Sequence, residues 1–225
     1  MHSCSSCTLV NALYWCLLQE TSKNDLSVLM SRQSRRFQVP DALANLYDFA
    51  NTLDVRHFTY RGVPHRQDDE LKSPDDLAAW MAQRKLALLD AKITPAMFVA
   101  ALGLRASLRD YLQHDPAERR SKSATRALNA AIACFPLRAE LGDGAGVALR
   151  SVRNDALAGL SAVAAELYDG ARDGSLDRLK MCSAEECRRV FFDRSKPATR
   201  RWCMSNLCGN RIKTRAYRER QRGGK

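Results

Sequence analysis

The sequence predicts a mostly α-helical N-terminal domain with a small β-hairpin, followed by a small C-terminal module that ends in a basic helix. Apolar residues recur at helical spacing between Pro40 and Gly170, and four of the eight cysteines lie in two pairs after that stretch. We expect an N-terminal extension at residues 1–36, a helical domain at about 37–176 and the cysteine module at about 177–225. Gly170 and Gly174 would loosen the chain between the last two.

Five helices are predicted in the helical domain. Ser73-Pro74 and Thr94-Pro95 each place a capping hydroxyl before a proline at the first helical position, and Asp115-Pro116 precedes Glu118 as in a capping box. The predicted helices cover residues 41–53, a segment that begins at 74, a longer one that begins at 95, residues 116–136 and residues 152–170. Residues 54–72 are predicted to be a polar loop, and an apolar period of two at 137–151 predicts the β-hairpin.

The N-terminal extension has no strong pattern, and we expect it to be poorly ordered. His2, Cys4 and Cys7 could form half of a metal site, but no second half is recognisable. The apolar stretch at residues 8–18 is too short to span a membrane and lacks the basic flank of an export signal. We therefore expect a cytoplasmic protein with reduced thiols and no membrane partner, in which Cys16 and Cys134 are buried as apolar residues.

Positive charge is concentrated in the cysteine module. Residues 178–225 contain 15 Lys and Arg against 4 Asp and Glu, which accounts for the whole net charge of +11 and leaves the first 177 residues neutral. A cationic segment of this kind attracts a polyanion such as nucleic acid. The alternative is a solvated basic tail that binds nothing.

The four cysteines of the module have the spacing of a metal site. Cys182 and Cys187 are separated by four residues, fifteen residues follow, and Cys203 and Cys208 repeat the inner gap. Two such pairs can supply the four soft ligands that tetrahedral zinc prefers. A redox pair and an iron–sulfur cluster are alternatives, less favoured because the cluster contains no closer Cys-x-x-Cys pair. Four cysteines would close the metal sphere, so no catalytic residue is predicted there.

A basic helix is predicted directly after Cys208. Gly209 would allow a tight turn over the metal, and the helix N-terminus would stabilise the Cys208 thiolate. The side chains expected to contact phosphates and guanine edges in a DNA major groove are Arg211, Lys213, Arg215, Arg218, Arg220 and Arg222. The alternative is a charged helix that only closes the end of the module.

Three further groups of the module have predicted roles. Ile212 and Ala216 would pack on the aromatic side chains of the module, which are Phe191, Phe192 and Trp202. Asp193 is interpreted as a capping or orienting group rather than a catalytic acid. Tyr217 could contact a base or sugar, or serve only in packing.

These residues resemble the CGNR zinc-finger proteins, whose N-terminal region is the helical ABATE domain. The module has the family's motifs in order: Cys182-x4-Cys187, Phe191-Phe192-Asp193 with Ser195, Arg201-Trp202-Cys203, and Cys208-Gly209-Asn210-Arg211. Upstream, residues 48–53 (DFANTL) are similar to the family's FxNT segment, and residues 73–80 (SPDDLAAW) to its helix with a tryptophan. The resemblance covers about 40–221 and leaves the first 36 or so residues unmatched.

The resemblance implies a bacterial, stress-induced transcription regulator that binds double-stranded DNA. It implies one structural Zn²⁺ held by Cys182, Cys187, Cys203 and Cys208. Asn51, Thr52, Arg56 and Trp80 are candidates for a pocket that binds a small-molecule effector, although paired polar residues more often bond locally.

Two other classes of function stay open at this stage. The zinc module could bind RNA or another protein, or the helical domain could be an enzyme. The enzyme is disfavoured because His57, His65 and the acids at 68–70 have no recognisable nucleophile or metal-ligand spacing. For DNA, one small zinc module offers limited surface, so we expect a homodimer on neighbouring half-sites.

Overall fold

The computed structural model describes residues 32–87, 92–142 and 146–223, in which helices predominate. The α-helices are α1 (Gln33–Arg36), α2 (Ala44–Ala50), α3 (Pro74–Gln83), α4 (Pro95–Gln113), α5 (Lys122–Ile132), α6 (Ser161–Asp173) and α7 (Asn210–Gly223). Among the described residues, no helix combines the length and the apolar character needed to cross a bilayer. The predicted half-site of His2, Cys4 and Cys7 lies outside the described residues, as does Cys16.

Short antiparallel strand pairs connect the helices. The pairs are β1 (Leu53–Asp54) with β4 (Asp68–Asp69), β2 (Thr59–Tyr60) with β3 (Val63–Pro64), β5 (Leu137–Leu141) with β6 (Val147–Ser151), and β7 (Leu179–Met181) with β8 (Val190–Phe192). The β5–β6 hairpin confirms the predicted one. The predicted polar loop at 54–72 is wrong, because it contains two of these pairs. Strands of two residues are too short for an alternating pattern to be visible in the sequence.

One apolar core joins the helical body, residues 32–176, to the first strands of the cysteine module. Leu46, Leu104 and Leu160 of the helices are fully buried in this core, and Leu179 of β7 and Val190 of β8 are buried in the same cluster. A fully buried leucine contributes about 2 kcal/mol. Because β7 and β8 are part of this core, the helical body fixes the position of the first strands of the cysteine module.

Two predicted helix starts are confirmed by their capping bonds. Ser73 Oγ accepts a hydrogen bond from the Asp76 N–H at 3.2 Å, and Thr94 Oγ1 accepts one from the Met97 N–H at 3.3 Å. Both side chains thus satisfy backbone donors that have no partner within the first helical turn.

The helix predicted at 41–53 begins as a 3-10 turn at Asp41–Leu43 and ends at Ala50. Asn51 Nδ2 donates to the Tyr47 carbonyl oxygen at 3.2 Å, and Thr52 Oγ1 donates to the Phe49 carbonyl oxygen at 2.8 Å. These side chains satisfy the last helical carbonyls, so the chain leaves the helix before Leu53.

The helix predicted at 116–136 is shorter at both ends. Ser121 Oγ accepts from the Ala124 N–H at 3.3 Å, so Ser121 rather than Asp115 caps α5. The predicted burial of Cys134 is wrong, since its side chain is exposed. The reason is that α5 ends at Ile132 and the following turn places Phe135 in the core instead.

The helix predicted at 152–170 starts later and ends later than expected. It begins as a 3-10 turn at Ala158–Leu160 and continues as α6 to Asp173. The Asp155 carboxylate, which pairs with Arg153, accepts a hydrogen bond from the Leu157 N–H at 3.1 Å and holds the chain before this turn. Gly174, with φ of 78°, ends α6 because glycine adopts the left-handed conformation without strain.

The last residues of the predicted extension belong to the fold. Ser34 is buried, and its N–H and Oγ donate to the Asp48 carboxylate at 2.8 and 3.0 Å. These bonds attach α1 to α2.

Candidate metal centre

The four cysteines of the module lie together. Their sulfur atoms are all within 4.8 Å of one another, with Sγ–Sγ distances of 3.6 Å from Cys187 to Cys203 and 3.7 Å from Cys203 to Cys208. A disulfide would need about 2 Å, whereas a tetrahedral zinc with Zn–S bonds of about 2.3 Å separates its sulfurs by roughly 3.8 Å. The donor set and its spacing therefore fit one zinc ion, which is the cofactor that the sequence predicts.

Two turns of the backbone present the sulfur atoms. In the first pair, the Cys182 N–H donates to the Arg189 carbonyl oxygen and the Cys187 N–H to the Ala184 carbonyl oxygen, each at 2.9 Å. In the second pair, Cys208 lies in a π-helical turn at Ser205–Gly209, directly before α7. Each turn directs its thiols toward the same point.

The close approach of the four sulfur atoms means that the thiols need a cation once they are deprotonated. Hydrogen bonds from the other thiols lower the pKa of Cys182, whereas the pKa of Cys203 is raised because its own thiol donates to its neighbours. Four thiolates at these distances would repel one another strongly. A divalent cation at their centre removes this repulsion, and zinc thiolates are deprotonated when bound.

A small apolar cluster surrounds the sulfur atoms. Phe58, Ala184 and Phe191 are buried beside the cysteines, and Trp202, Leu207 and Ile212 pack against them. Phe58 comes from the segment between β1 and β2, so the helical body supplies part of this cluster. Cys182, Cys187 and Cys208 are buried within this shell, whereas Cys203 is partly exposed.

Asp193 organises the loop that leads to the second cysteine pair. Its fully buried carboxylate accepts hydrogen bonds from Ser195 Oγ at 2.7 Å, the Arg200 N–H at 2.8 Å and Lys180 Nζ at 3.1 Å. Burial raises the pKa of Asp193, but these hydrogen bonds outweigh it and the net pKa is lowered. Its contacts are those of the predicted capping group.

Gly209 allows a close contact with Trp202 that the sequence does not reveal. A Cβ atom at this position would lie 3.2 Å from Cε3 of Trp202. Gly209 continues into the helix rather than making the predicted tight turn, and its N–H and that of Cys208 both donate to the Met204 carbonyl oxygen. The glycine therefore allows the Trp202 ring to lie against the backbone beside Cys208.

The start of α7 is anchored by a buried carboxylate. Glu186, between the first two cysteines, accepts hydrogen bonds from Arg211 Nη2 at 3.0 Å and Arg215 Nη2 at 3.1 Å. The Arg211 guanidinium also lies 4.2 Å from the centroid of the Phe58 ring. Two of the six predicted DNA-contacting residues thus hold the helix on the module.

Beyond its first turn, α7 projects into solvent. Every residue from Lys213 to Arg222 is exposed. The predicted packing of Ala216 on the aromatic residues is therefore wrong, and only Ile212 packs on the cluster. Tyr217 is 57% exposed. Four of the predicted DNA-contacting residues form no ion pair within the described part of the chain, namely Lys213, Arg218, Arg220 and Arg222.

Side-chain amide and guanidinium groups connect the helical body to the module. Asn51 Oδ1 accepts from the Val190 N–H at 3.0 Å while its Nδ2 donates to the Val190 carbonyl oxygen at 3.1 Å. Arg109 donates to the Ala50 carbonyl oxygen at 2.7 Å and to the Arg188 carbonyl oxygen at 3.1 Å. Asn51 therefore bonds to β8 as a neighbouring strand would.

Three of the four predicted effector-pocket residues lie around one small pocket. Asn51, Thr52 and Arg56 line a space of about 100 Å³, together with Cys187 and Arg189 of the module. Trp80 is not among the residues around this space, because it is buried against Phe49 with ring centroids 5.5 Å apart. Thr52 Oγ1 accepts from Arg105 Nη1 at 3.0 Å, and Arg56 pairs with Asp54.

Sequence reasoning missed Glu186 and Phe58 as parts of the site. Glu186 stands beside Glu185, and two adjacent glutamates look like exposed surface. Phe58 is an apolar residue within a basic stretch of the predicted loop. A large apolar side chain in such a stretch indicates that part of the loop is buried.

Two family models match the chain. Residues 178–221 match the CGNR zinc finger. Residues 45–173 match the ABATE family, described as "Putative stress-induced transcription regulator". A comparison with curated proteins found no match.

Proposed function

The chain belongs to the ABATE family, described as "Putative stress-induced transcription regulator", and carries a CGNR zinc finger, and we propose that it regulates transcription by binding duplex DNA through α7. In this proposal the Cys182, Cys187, Cys203 and Cys208 thiolates hold one zinc ion. The ion folds the module so that α7 is presented to DNA, and the protein acts as a cytoplasmic binding protein rather than an enzyme.

The observation that supports this proposal is the exposed, cationic outer part of α7. Residues Lys213 to Arg222 are all exposed and include five basic residues and one acidic residue. An α-helix fits the major groove, where arginine can bind phosphates and guanine edges. Arg211 and Arg215 orient this helix through Glu186, whereas Lys213, Arg218, Arg220 and Arg222 are available for DNA.

The proposal is tested by selecting sequences from a random duplex library with the zinc-loaded chain and then measuring affinity as a function of salt. The double variant Arg218→Ala, Arg222→Ala should bind the selected duplex roughly 10- to 100-fold more weakly, with a log–log salt slope smaller by about 1.8, because two phosphate contacts are lost. A matched control is the pair Lys122→Ala, Arg126→Ala, which removes two exposed charges from α5.

Two outcomes would contradict DNA binding by α7. One is enrichment of no sequence together with preferential binding of structured RNA in a direct competition. The other is equal affinity of the α7 variant and the α5 control.

We further propose that the protein binds DNA as a homodimer and that the pocket lined by Asn51, Thr52 and Arg56 binds an effector. The space of about 100 Å³ is well below the roughly 300–1,000 Å³ of pockets for drug-sized ligands, so this effector would be small. Sedimentation of the DNA complex tests the dimer: a strict monomer on DNA would exclude it. A thermal-shift screen of small polar compounds tests the effector, which a lack of any stabilising compound would count against.

A further inference from the structure

A second cationic element lies beside the start of α7. Residues 55–67 (VRHFTYRGVPHRQ) contain three arginines and two histidines but no acidic residue. They include the β2–β3 pair, which together with the flanking residues we call the basic hairpin (residues 58–66). The helical body (residues 32–176) contains 20 Lys and Arg against 18 Asp and Glu, so a stretch of 13 residues without any acid is unusual within it.

The basic hairpin is attached to the metal centre. Phe58, at its base, is 8% exposed and packs in the apolar cluster around the cysteines. The Arg211 guanidinium lies 4.2 Å from the Phe58 ring centroid, and the His57 N–H donates to the Glu186 carbonyl oxygen at 3.1 Å. Residues Phe58 and Glu186 therefore fix both the hairpin and the first turn of α7.

The hairpin has a defined shape. Arg61 and Gly62 form its two-residue turn, and both have positive φ, of 50° and 81°, as in a type I′ turn that matches the twist of paired strands. The His65 N–H donates to the Phe58 carbonyl oxygen at 2.8 Å and closes the base. The turn and the closing hydrogen bond together define the position of the tip relative to Phe58.

The tip of the hairpin is exposed and cationic. Tyr60 is 49% exposed, and the Arg61 guanidinium lies 5.3 Å from the Tyr60 ring centroid. Arg61 at the tip and Arg66 beside the base are both exposed, and neither forms an ion pair with any residue that the structure describes. Arginine and tyrosine side chains in this arrangement are suited to phosphate and sugar contacts.

The distances suit DNA bound to α7. Arg61 follows Phe58 by three residues, so their Cα atoms are at most about 11 Å apart. The major groove is about 12 Å wide, and Phe58 contacts Arg211 in the first turn of α7, so a side chain within about 11 Å of Phe58 has the reach to contact the sugar–phosphate backbone at the edge of the groove. We propose that the basic hairpin is a second DNA contact, in which Arg61 and Arg66 bind phosphates beside the groove that receives α7. This inference rests on the proposed function.

The test uses the full zinc-loaded chain and the duplex selected with it. The double variant Arg61→Ala, Arg66→Ala should bind roughly 10- to 100-fold more weakly, with a salt slope smaller by about 1.8. Hydroxyl-radical footprinting should show loss of protection at one edge of each half-site only. Lys122→Ala, Arg126→Ala is again the matched control, and unchanged zinc content shows that the hairpin variant is folded.

The possible results separate this inference from the proposed function. If the wild-type chain binds and the Arg218→Ala, Arg222→Ala variant is weakened, but the hairpin variant keeps wild-type affinity, slope and footprint, the hairpin contact is overturned and DNA binding stands. If the wild-type chain binds structured RNA in preference to every duplex, both are overturned.

Discussion

In the helical body, leucine and phenylalanine side chains from several helices meet in one core, whereas four thiols and a few buried charged groups occupy the centre of the cysteine module. The body is stabilised mainly by burial of apolar surface. The module has only a small apolar cluster of its own, and its centre is assembled from polar groups that stabilise it only when each has its partner. The stability of the module therefore depends on its chemical environment, including a metal ion, much more than the stability of the body does.

Removal of zinc should have the largest effect, because it should unfold the module while the helical body stays folded. Zinc binding to small finger domains contributes about 10–16 kcal/mol at neutral pH, so Cys203→Ser or a chelator should unfold the module. The core helices α4 and α6 should remain protected, because their contacts are apolar. Hydrogen exchange would show loss of protection at residues 182–189 and 193–212 only, because β8 is held in the core of the helical body.

Cys134→Ser is the matched control for this prediction, since Cys134 is an exposed thiol of the helical body. This variant should keep its zinc and all its protection. Equal protection of the module with and without metal would refute the metal-dependent half of the comparison.

Asp193→Ala should be the most damaging change to the module outside the cysteines. It leaves Lys180 Nζ in a buried position without its carboxylate, and the loss of one partner of a buried ion pair costs about 3–5 kcal/mol. Zinc release to a chromogenic chelator should therefore occur at a lower urea concentration. Asp110→Ala, at an exposed position of α4, should change stability by less than about 0.5 kcal/mol; similar effects of both variants would contradict this role of Asp193.

Glu166 is a partly buried acid of the helical body, and it should make the stability of the body depend on pH. Burial raises the pKa of Glu166 to about 7, although the Leu46 N–H and the Asn45 amides donate to its carboxylate. The folded state therefore binds a proton more tightly than the unfolded state between pH 4.5 and about 7. Stability should fall as pH rises through this window, by up to about 3 kcal/mol.

Glu166→Gln should remove this contribution. Urea unfolding at pH 5.5 and 7.5 should show that the stability difference between wild type and variant changes with pH, whereas Glu118→Gln, at an exposed position, should show no such change. A pH-independent difference for Glu166→Gln would mean that the carboxyl group stays ionised in the folded protein.

The junction between the two regions should give the smallest effect. Asn51→Ala removes both the acceptor for the Val190 N–H and the donor to the Val190 carbonyl oxygen without adding a buried charge. An unsatisfied buried carbonyl costs about 1–3 kcal/mol, so exchange of the Val190 amide should accelerate about tenfold. Asn129→Ala, at an exposed site on α5, should leave this exchange rate unchanged, and no acceleration in Asn51→Ala would show that the junction does not depend on this amide.

The two regions also differ in how far the sequence predicts them. The clustering of the four cysteines and the capping by Ser73 and Thr94 were predicted correctly, because the spacing of metal ligands and helix caps are local sequence patterns. Helix ends at residues 50 and 132 and the exposure of Cys134 were not, because contacts with residues distant in sequence determine them.

The parts of the site that the sequence did not predict also depend on contacts between residues distant in sequence. Glu186 and Phe58 are recognisable only when the segment between β1 and β2 is placed against α7, and no local pattern contains that contact. The role of Gly209 depends on the Trp202 ring in the same way.

The exposure of α7 has a consequence for its own conformation. Arg211 and Lys213 lie in the first turn, where the helix dipole disfavours positive charge, and pairs such as Arg218 and Arg222 repel each other at four-residue spacing. The outer turns have no tertiary packing to compensate. Helical content in this segment should therefore rise with ionic strength and with polyanion binding, so that part of any binding free energy is consumed in ordering the helix.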